Sequence, residues 1–379
     1  MALVLNEEQR LLAETARDFL QKQAPVSALR ALRDSRDPLG YDATLWQQMA
    51  ELGWASVILP EDFGGLDFGF SGLGVVLQES GRTLTASPLF ATAVVGASAL
   101  LLGGSTDQKA EYLPQVAAGE LTLALALEES AHHRPQHIGT RLETVGDGFA
   151  LSGEKVFVLD GHSADTLLVV ARSSGESAAR DGLSVVMVPR ATAGVAIERT
   201  VMADSRNAAN IRFTDVAISS EQVVGNVGEA GAWLEDVLDR GRIAMAAEML
   251  GSVEEVFART VAWLKERVQF GVPIGSFQAL QHRAARLQAE LELAQSVVLQ
   301  ALATVDEQPR QLALMASLAK ANLNELAKLA TNEAVQMHGG IGVTDELEIG
   351  FFLKRARTAM QIFGDTGFHK DRYATLCGY

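Results

Sequence analysis

Apolar residues in the first third of the chain recur at spacings of three and four, the period that gathers one stripe on a helix. Leu11, Leu12, Ala16, Phe19 and Leu20 form such a stripe, and Asn6 stands where an N-cap would open it. Trp46, Met49, Leu52 and Trp54 mark a second helix, and residues 70–82 and 88–102 read as apolar helices. Ser105 followed by Gln108 has the form of a capping box before a helix carrying Tyr112, Leu113 and Val116. From about Leu121 the pattern shortens to β-type runs at 121–127, 150–157, 166–171, 183–188, 195–199 and 210–213, separated by Gly, Asp and Ser. From Gly228 the helical period returns: Val253, Val256, Phe257, Val261, Leu264 and Val268 come first, then runs at 274–304, 310–338 and 344–363.

The order helix, strand, helix predicts an α+β chain of three parts. These are an N-terminal helical domain over 1–120, a small central β-barrel or sandwich over 121–224, and a C-terminal four-helix bundle over 225–379. Composition supports a large core: 48% of the 379 residues are hydrophobic and 21% charged, which excludes a disordered chain. A net charge of −15 with no basic face excludes phosphate-driven nucleic-acid binding, so an anionic ligand would need local Arg, Lys or helix N-termini. The single cysteine, Cys377, allows no intrachain disulfide and fits a reducing, cytoplasmic location. The start of the chain, Met1 to Glu8, lacks the basic and apolar regions of a secretory signal. The apolar run near 89–102 is shorter than the ~20 residues a membrane span needs and is broken by Thr92, Gly96 and Ser98, so no membrane association is expected.

Several segments in this order resemble the acyl-CoA dehydrogenase family, over nearly the whole chain. Pro60-Glu61-Asp62-Phe63-Gly64-Gly65-Leu66 is similar to its N-terminal turn, and Gly153-Glu154-Lys155-Val156-Phe157-Val158 to the strand that leads to the flavin. Phe213-Thr214-Asp215-Val216 followed by Val224-Gly225-Asn226-Val227-Gly228 resembles the exit from the β domain. The most specific pieces are Arg267 to Gln278 and Gln336-Met337-His338-Gly339-Gly340-Ile341-Gly342. The resemblance implies FAD, with Arg267 on its diphosphate, Phe270 packed on the dinucleotide, Gln278 hydrogen-bonded to it, and Gln336 with the backbone of Gly339 and Gly340 at the adenosine end. A guanidinium suits a diphosphate because it binds bidentately. In the family these groups reach across a subunit interface, and the guanidinium and the glutamine are expected from separate protomers. Asp239 and Arg242 match the Asp-x-x-Arg that contacts the CoA thioester; otherwise they are a charge pair on a helix. Ser205-Arg206-Asn207 has a counterpart near the substrate.

The family reaction removes the α-proton of an acyl-CoA and passes a β-hydride to flavin. It needs a carboxylate base whose proton affinity is raised in a dry cleft. Counted from Gln336, the usual base position falls on Phe363, followed by Gly364 and Asp365; the alternative slot before Arg242 is Gly241. Two carboxylates lie near these slots. Asp365 is either the base or a flavin contact. Glu248, seven residues after Gly241 and ~10 Å along the helix, is either the base or a buried, paired acid. The flavin-edge segment, Ala126 to Arg134, places Glu128 where the family has a hydroxyl, and Leu159 stands at a second hydroxyl position. His132, His133 and His137 read as a solvated loop, and no metal site is expected. Three readings follow: an FAD-dependent acyl-CoA dehydrogenase of fatty-acid or acyl-CoA metabolism; a non-catalytic subunit completing a partner's FAD site; or another flavin oxidation on the same fold. The expected partners are an acyl-CoA substrate, copies of the chain or a paralogous subunit in a dimer, homotetramer or heterotetramer, and electron-transfer flavoprotein as acceptor.

Overall fold

The computed structural model describes residues 4–379; the first three residues of the stretch read for a secretory signal lie outside them. Eleven α-helices and nine strands follow one another among these residues. α1 (Glu7–Gln23), α2 (Val26–Ser35), α3 (Ala43–Glu51), α4 (Gly69–Thr83), α5 (Ala97–Gly103) and α6 (Thr106–Ala117) precede the strands. The main strands are β1 (Leu123–Ala126), β2 (Arg141–Val145), β3 (Gly148–Leu159), β4 (Thr166–Arg172), β5 (Leu183–Pro189), β6 (Val195–Val201) and β7 (Asn207–Ile218). α7 (Leu234–Glu266) leads into a hairpin of β8 (Val268–Gln269) and β9 (Val272–Pro273), then α8 (Gln278–Glu307), α9 (Leu312–His338), α10 (Ile349–Ala359) and α11 (Thr366–Leu376). No helix among the described residues is long and apolar enough to cross a membrane.

The chain forms two compact units. One comprises the described residues up to Ala31, Phe70–Thr85 and Arg242–Tyr379; the other comprises Leu32–Gly69 and Ala86–Gly241. The N-terminal helical segment is therefore shared between the two, because α1 and α4 pack with the C-terminal helices. Two glycines permit that packing. A Cβ on Gly81 of α4 would lie 1.9 Å from the Glu248 carbonyl oxygen, and one on Gly251 of α7 would lie 1.7 Å from that of Gln78. The backbones can touch only where side chains are missing.

Asn6 caps α1 through a reciprocal box: its side chain accepts from the Gln9 N–H at 2.8 Å and the Gln9 side chain accepts from the Asn6 N–H at 3.0 Å. Ser105 and Gln108 open α6 in the same way. The run at 88–102 is not one regular helix. Residues 90–96 form a π-helix before α5, and the Thr92 hydroxyl accepts from the Leu123 N–H at 3.0 Å, tying this segment to β1.

In the β-rich unit the strands order as β1-β4-β2-β3-β7-β6, with β5 on β4. β1 and β4 run parallel; β3 pairs antiparallel with β2 and β7, and shifts register twice along β7. β4 is buried at every position, and Leu167, Val169, Val186, Val188, Ile211 and Phe213 belong to the core beneath. In the helical unit α9 buries Leu312, Met315, Ala316, Ala319, Leu323, Leu326, Ala327, Ala330 and Ala334 at helical spacing. Lys320 and Asn324 lie within the same stripe. A helix absent from the sequence expectation, α11, follows Asp365, and the run at 344–363 shortens to α10.

Candidate active site

The two most specific motifs meet at the end of the helical unit. The Arg267 guanidinium lies over the Trp263 ring, 5.8 Å from its centroid, and Trp263 stacks on His338 at 5.1 Å with the planes 23° apart. One chain therefore presents both the Arg267 hairpin and the Gln336–Gly340 turn on neighbouring elements. His338 is held by the Ala334 carbonyl at 2.7 Å, and burial pushes its proton affinity down, which leaves a neutral ring for the stack.

The hairpin itself is open to solvent. Phe270 is 91% exposed at its tip, has a left-handed backbone (φ 55°), and meets Phe277 edge-on at 6.1 Å. Arg267, Gln278, Gln336, Gly339 and Gly340 are all exposed, and the space a Cβ would take on Gly339 or Gly340 is open to 4 Å. Trp263 Nε1 is buried without an acceptor among the described residues. The set is one of donors (a guanidinium, two amides, an indole N–H and glycine backbone) beside an apolar face. That chemistry fits an anionic, acceptor-rich dinucleotide such as FAD.

The second constellation surrounds the turn at 359–365. Phe363 occupies the expected base position with φ 57°, and Gly364 follows at φ +116°, where a Cβ would come within 2.5 Å of the Phe368 ring. The Phe363 carbonyl accepts from Arg242 Nε at 3.2 Å and faces His369 Nε2 at 3.1 Å. Arg242 is fully buried, stands over the Phe368 ring and grips this turn; Asp239, earlier on α7, is 1% exposed. Neither matches an exposed charge pair. Asp365 is exposed and caps α11, accepting from the Phe368 N–H at 2.8 Å.

The structure places Glu248 in a buried ion pair. It is 4% exposed and paired at 3.2 Å with Arg355, itself 3% exposed and also donating to the Leu84 carbonyl. The cavity beside it is about 10 Å³, room for one water at most. The paired structural acid is the reading the geometry supports.

In the β-rich unit, residues 127–129 are pinned to β3. Lys155, fully buried, donates to the Leu127 carbonyl at 3.0 Å and to Glu129 at 2.7 Å, and the Val156 N–H donates to the Glu128 carbonyl at 2.8 Å. The Glu128 carboxylate meets His133 Nδ1 at 2.5 Å. His133 is thus not part of a solvated loop: its side chain is 4% exposed, whereas His132 and His137 are exposed as expected. Among the described residues no group of three or more His, Cys, Asp or Glu is placed to hold a metal. Asn207 holds the Leu39 carbonyl and Arg199, and the Arg206 guanidinium lies 5.7 Å from the Phe90 ring centroid. Sequence reading missed Lys320 and Lys155. The signal was available for Lys320, a cation inside an apolar stripe.

Models of the acyl-CoA dehydrogenase N-terminal, middle and C-terminal domains match residues 6–120, 125–216 and 231–375. Acyl-CoA dehydrogenase IpdE2 of Mycolicibacterium smegmatis is 32% identical over 95% of this chain and 96% of its own length. Probable acyl-CoA dehydrogenase YngJ of Bacillus subtilis is 29% identical over 94% of both. A solved structure described as a variant of the Tcur3481-Tcur3483 steroid ACAD superposes with a TM-score of 0.88 at 31% identity, covering 98% of each chain. With the site geometry in place, these matches show that the chain belongs to the acyl-CoA dehydrogenase family, FAD-dependent oxidoreductases acting on the CH–CH bond of acyl-CoA thioesters.

Proposed function

We propose that this chain performs the family's α,β-dehydrogenation as one subunit of an oligomer, its Arg267 hairpin and Gln336–Gly340 turn gripping a dinucleotide held with a second subunit. The observation that carries this is the Arg267–Trp263–His338 stack, which joins the two motifs on a face whose phenylalanine is 91% exposed. Arg267 would hold the FAD diphosphate, Gln278 and Gln336 would bond its polar edges, and the Gly339–Gly340 backbone would approach its adenosine. Bound FAD supplies the acceptor for the β-hydride, with electron-transfer flavoprotein receiving the electrons afterwards. Arg242 and Asp239 orient the site from α7, Arg242 by fixing the residue 363 carbonyl. Asp365, the carboxylate two residues past the base position, is the candidate acceptor of the α-proton in this chain.

A second reading is favoured by Phe363. An apolar ring stands at the base position, so a paired subunit would supply the acid while this chain completes the cofactor grip. Purifying the chain alone, and then with a co-expressed paralogue, separates the readings. A yellow protein bleached anaerobically by an acyl-CoA supports the first. Flavin and bleaching that appear only with the second chain support the other. A chain that stays colourless in both preparations refutes the grip.

A further inference from the structure

We propose that Lys320 and Asn324 are positioning residues for the reaction, clamping the 359–364 turn from α9 so that the backbone at 363 is presented in one arrangement. Lys320 is fully buried, and its amine donates to Asn324 Oδ1 at 2.8 Å and to the carbonyls of Ala359 at 2.9 Å, Gly364 at 3.3 Å and Met360 at 3.4 Å. Asn324 Nδ2 reaches the Met360 and Gly364 carbonyls at 3.4 and 3.5 Å. The Ala359 and Met360 oxygens lie just where α10 ends and its last carbonyls run out of helical donors. A cation there also meets the negative end of the helix dipole. With Arg242 and His369 on the Phe363 carbonyl, the oxygens of residues 359, 360, 363 and 364 are all engaged by side chains from α7, α9 and α11.

The turn needs such a hold. Phe363 and Gly364 both have left-handed φ, and a non-glycine residue there costs about 1–3 kcal/mol unless its surroundings fix it. An apolar side chain at 320 would strand the carbonyls the amine now satisfies, and each stranded group favours local opening. The clamp residues bond the backbone of the turn and act through it.

The clamp is coupled to protons. Burial lowers the proton affinity of Lys320 to about 7, Arg242 on α7 acts in the same direction, and Asp365 at the head of α11 opposes them. His369 on α11 faces the Phe363 carbonyl, and Arg372 reaches Ser317 on α9. Opening the turn hydrates the amine and restores its ordinary affinity near 10.5. The open form then carries more protons between those two values, so the closed turn gains on the open one as pH rises through that window.

The role in the reaction rests on the proposed function; the hold on the turn does not. The test uses the full chain as purified, with any co-expressed subunit, carrying Lys320→Met or, in a protein that keeps the amine, Asn324→Ala. Amide exchange in peptides over 359–368 should quicken about tenfold in both, with peptides of the β-rich unit within about twofold of wild type. Protection of that segment in the wild type should rise with pH above about 7, and the rise should vanish in Lys320→Met. With an acyl-CoA that reduces the flavin, kcat should fall about tenfold while KM stays within about threefold. Unaltered exchange in both variants overturns the clamp. A loosened turn with unaltered kcat overturns its role in the reaction. A wild type that no acyl-CoA reduces refutes the proposed function, while the exchange measurement still decides the clamp by itself.

Discussion

Lys155 in the β-rich unit and Lys320 in the helical unit are both fully buried, and both tie chain segments together through backbone carbonyls, yet they are built differently. Lys155 has a carboxylate, Glu129, at 2.7 Å, and Glu129 in turn accepts from the Gly139 and Thr140 N–H groups. Every hydrogen-bond partner of Lys320 is a neutral oxygen. Burial is the largest influence on each and lowers both; Glu129 opposes it at Lys155, whereas at Lys320 Arg242 adds to it and Asp365 opposes it. The first is a strut whose charge is matched by a directly bonded carboxylate; the second is a clamp whose charge is held by dipoles and by the more distant field of Asp365. A matched charge is expected to matter for global stability, and an unmatched one for a local conformation.

A third buried cation tests whether the counterion or the unit decides. Arg355 shares the helical unit with Lys320 but has Glu248 as its carboxylate. Glu248→Ala leaves that guanidinium buried and uncompensated, and is expected to cost about 3–5 kcal/mol in denaturant or thermal unfolding. Where the variant remains folded, turnover should stay within about threefold of wild type. A large loss of turnover at unchanged stability would restore Glu248 as the base. Next in size is Lys155→Met, which removes the counterion of a half-buried Glu129 that keeps its two N–H donors. A loss of about 2–3 kcal/mol is expected. Lys320→Met strands no carboxylate and removes an unmatched charge, so its unfolding free energy at neutral pH should change by only about 1 kcal/mol, even though its turn loosens. Equal losses for the two lysine variants would break the comparison.

The sequence showed elements well and partners poorly, for one physical reason. A cap, a stripe or an alternating run is written in neighbouring residues, so the Asn6 and Ser105 boxes, the β4 and β5 strands and the long α7 to α9 helices were legible. β2 was missed because Arg141-Leu142-Glu143-Thr144-Val145 buries only Leu142 and carries no apolar alternation. α11 was missed because few of its residues are buried; it is set by the Asp365 cap, not by a stripe. Contacts between residues 107 positions apart, such as Glu248 with Arg355, leave no periodic trace. Of the cofactor motif, the residue types were readable; that Trp263 brings Arg267 beside His338 required coordinates. The lysine in the α9 stripe was readable and was passed over, since one cation among apolar neighbours resembles a surface position until its burial is known.

Asp365 sharpens the comparison at its smallest scale, because it is the carboxylate whose field opposes burial at Lys320 while its side chain caps α11. The two roles separate by substitution. Asp365→Ala removes the cap and should cost about 1 kcal/mol, whereas Asp365→Asn keeps an acceptor for the Phe368 N–H and should cost only a few tenths. The asparagine also removes the field that raises the proton affinity of Lys320, so the pH at which the 359–368 segment tightens should move down. If Asp365 takes the α-proton, flavin reduction by acyl-CoA should fall steeply in both variants, regardless of the cap. Reduction that survives in Asp365→Asn and falls only in Asp365→Ala would assign Asp365 to the geometry of the turn and place the base on another subunit.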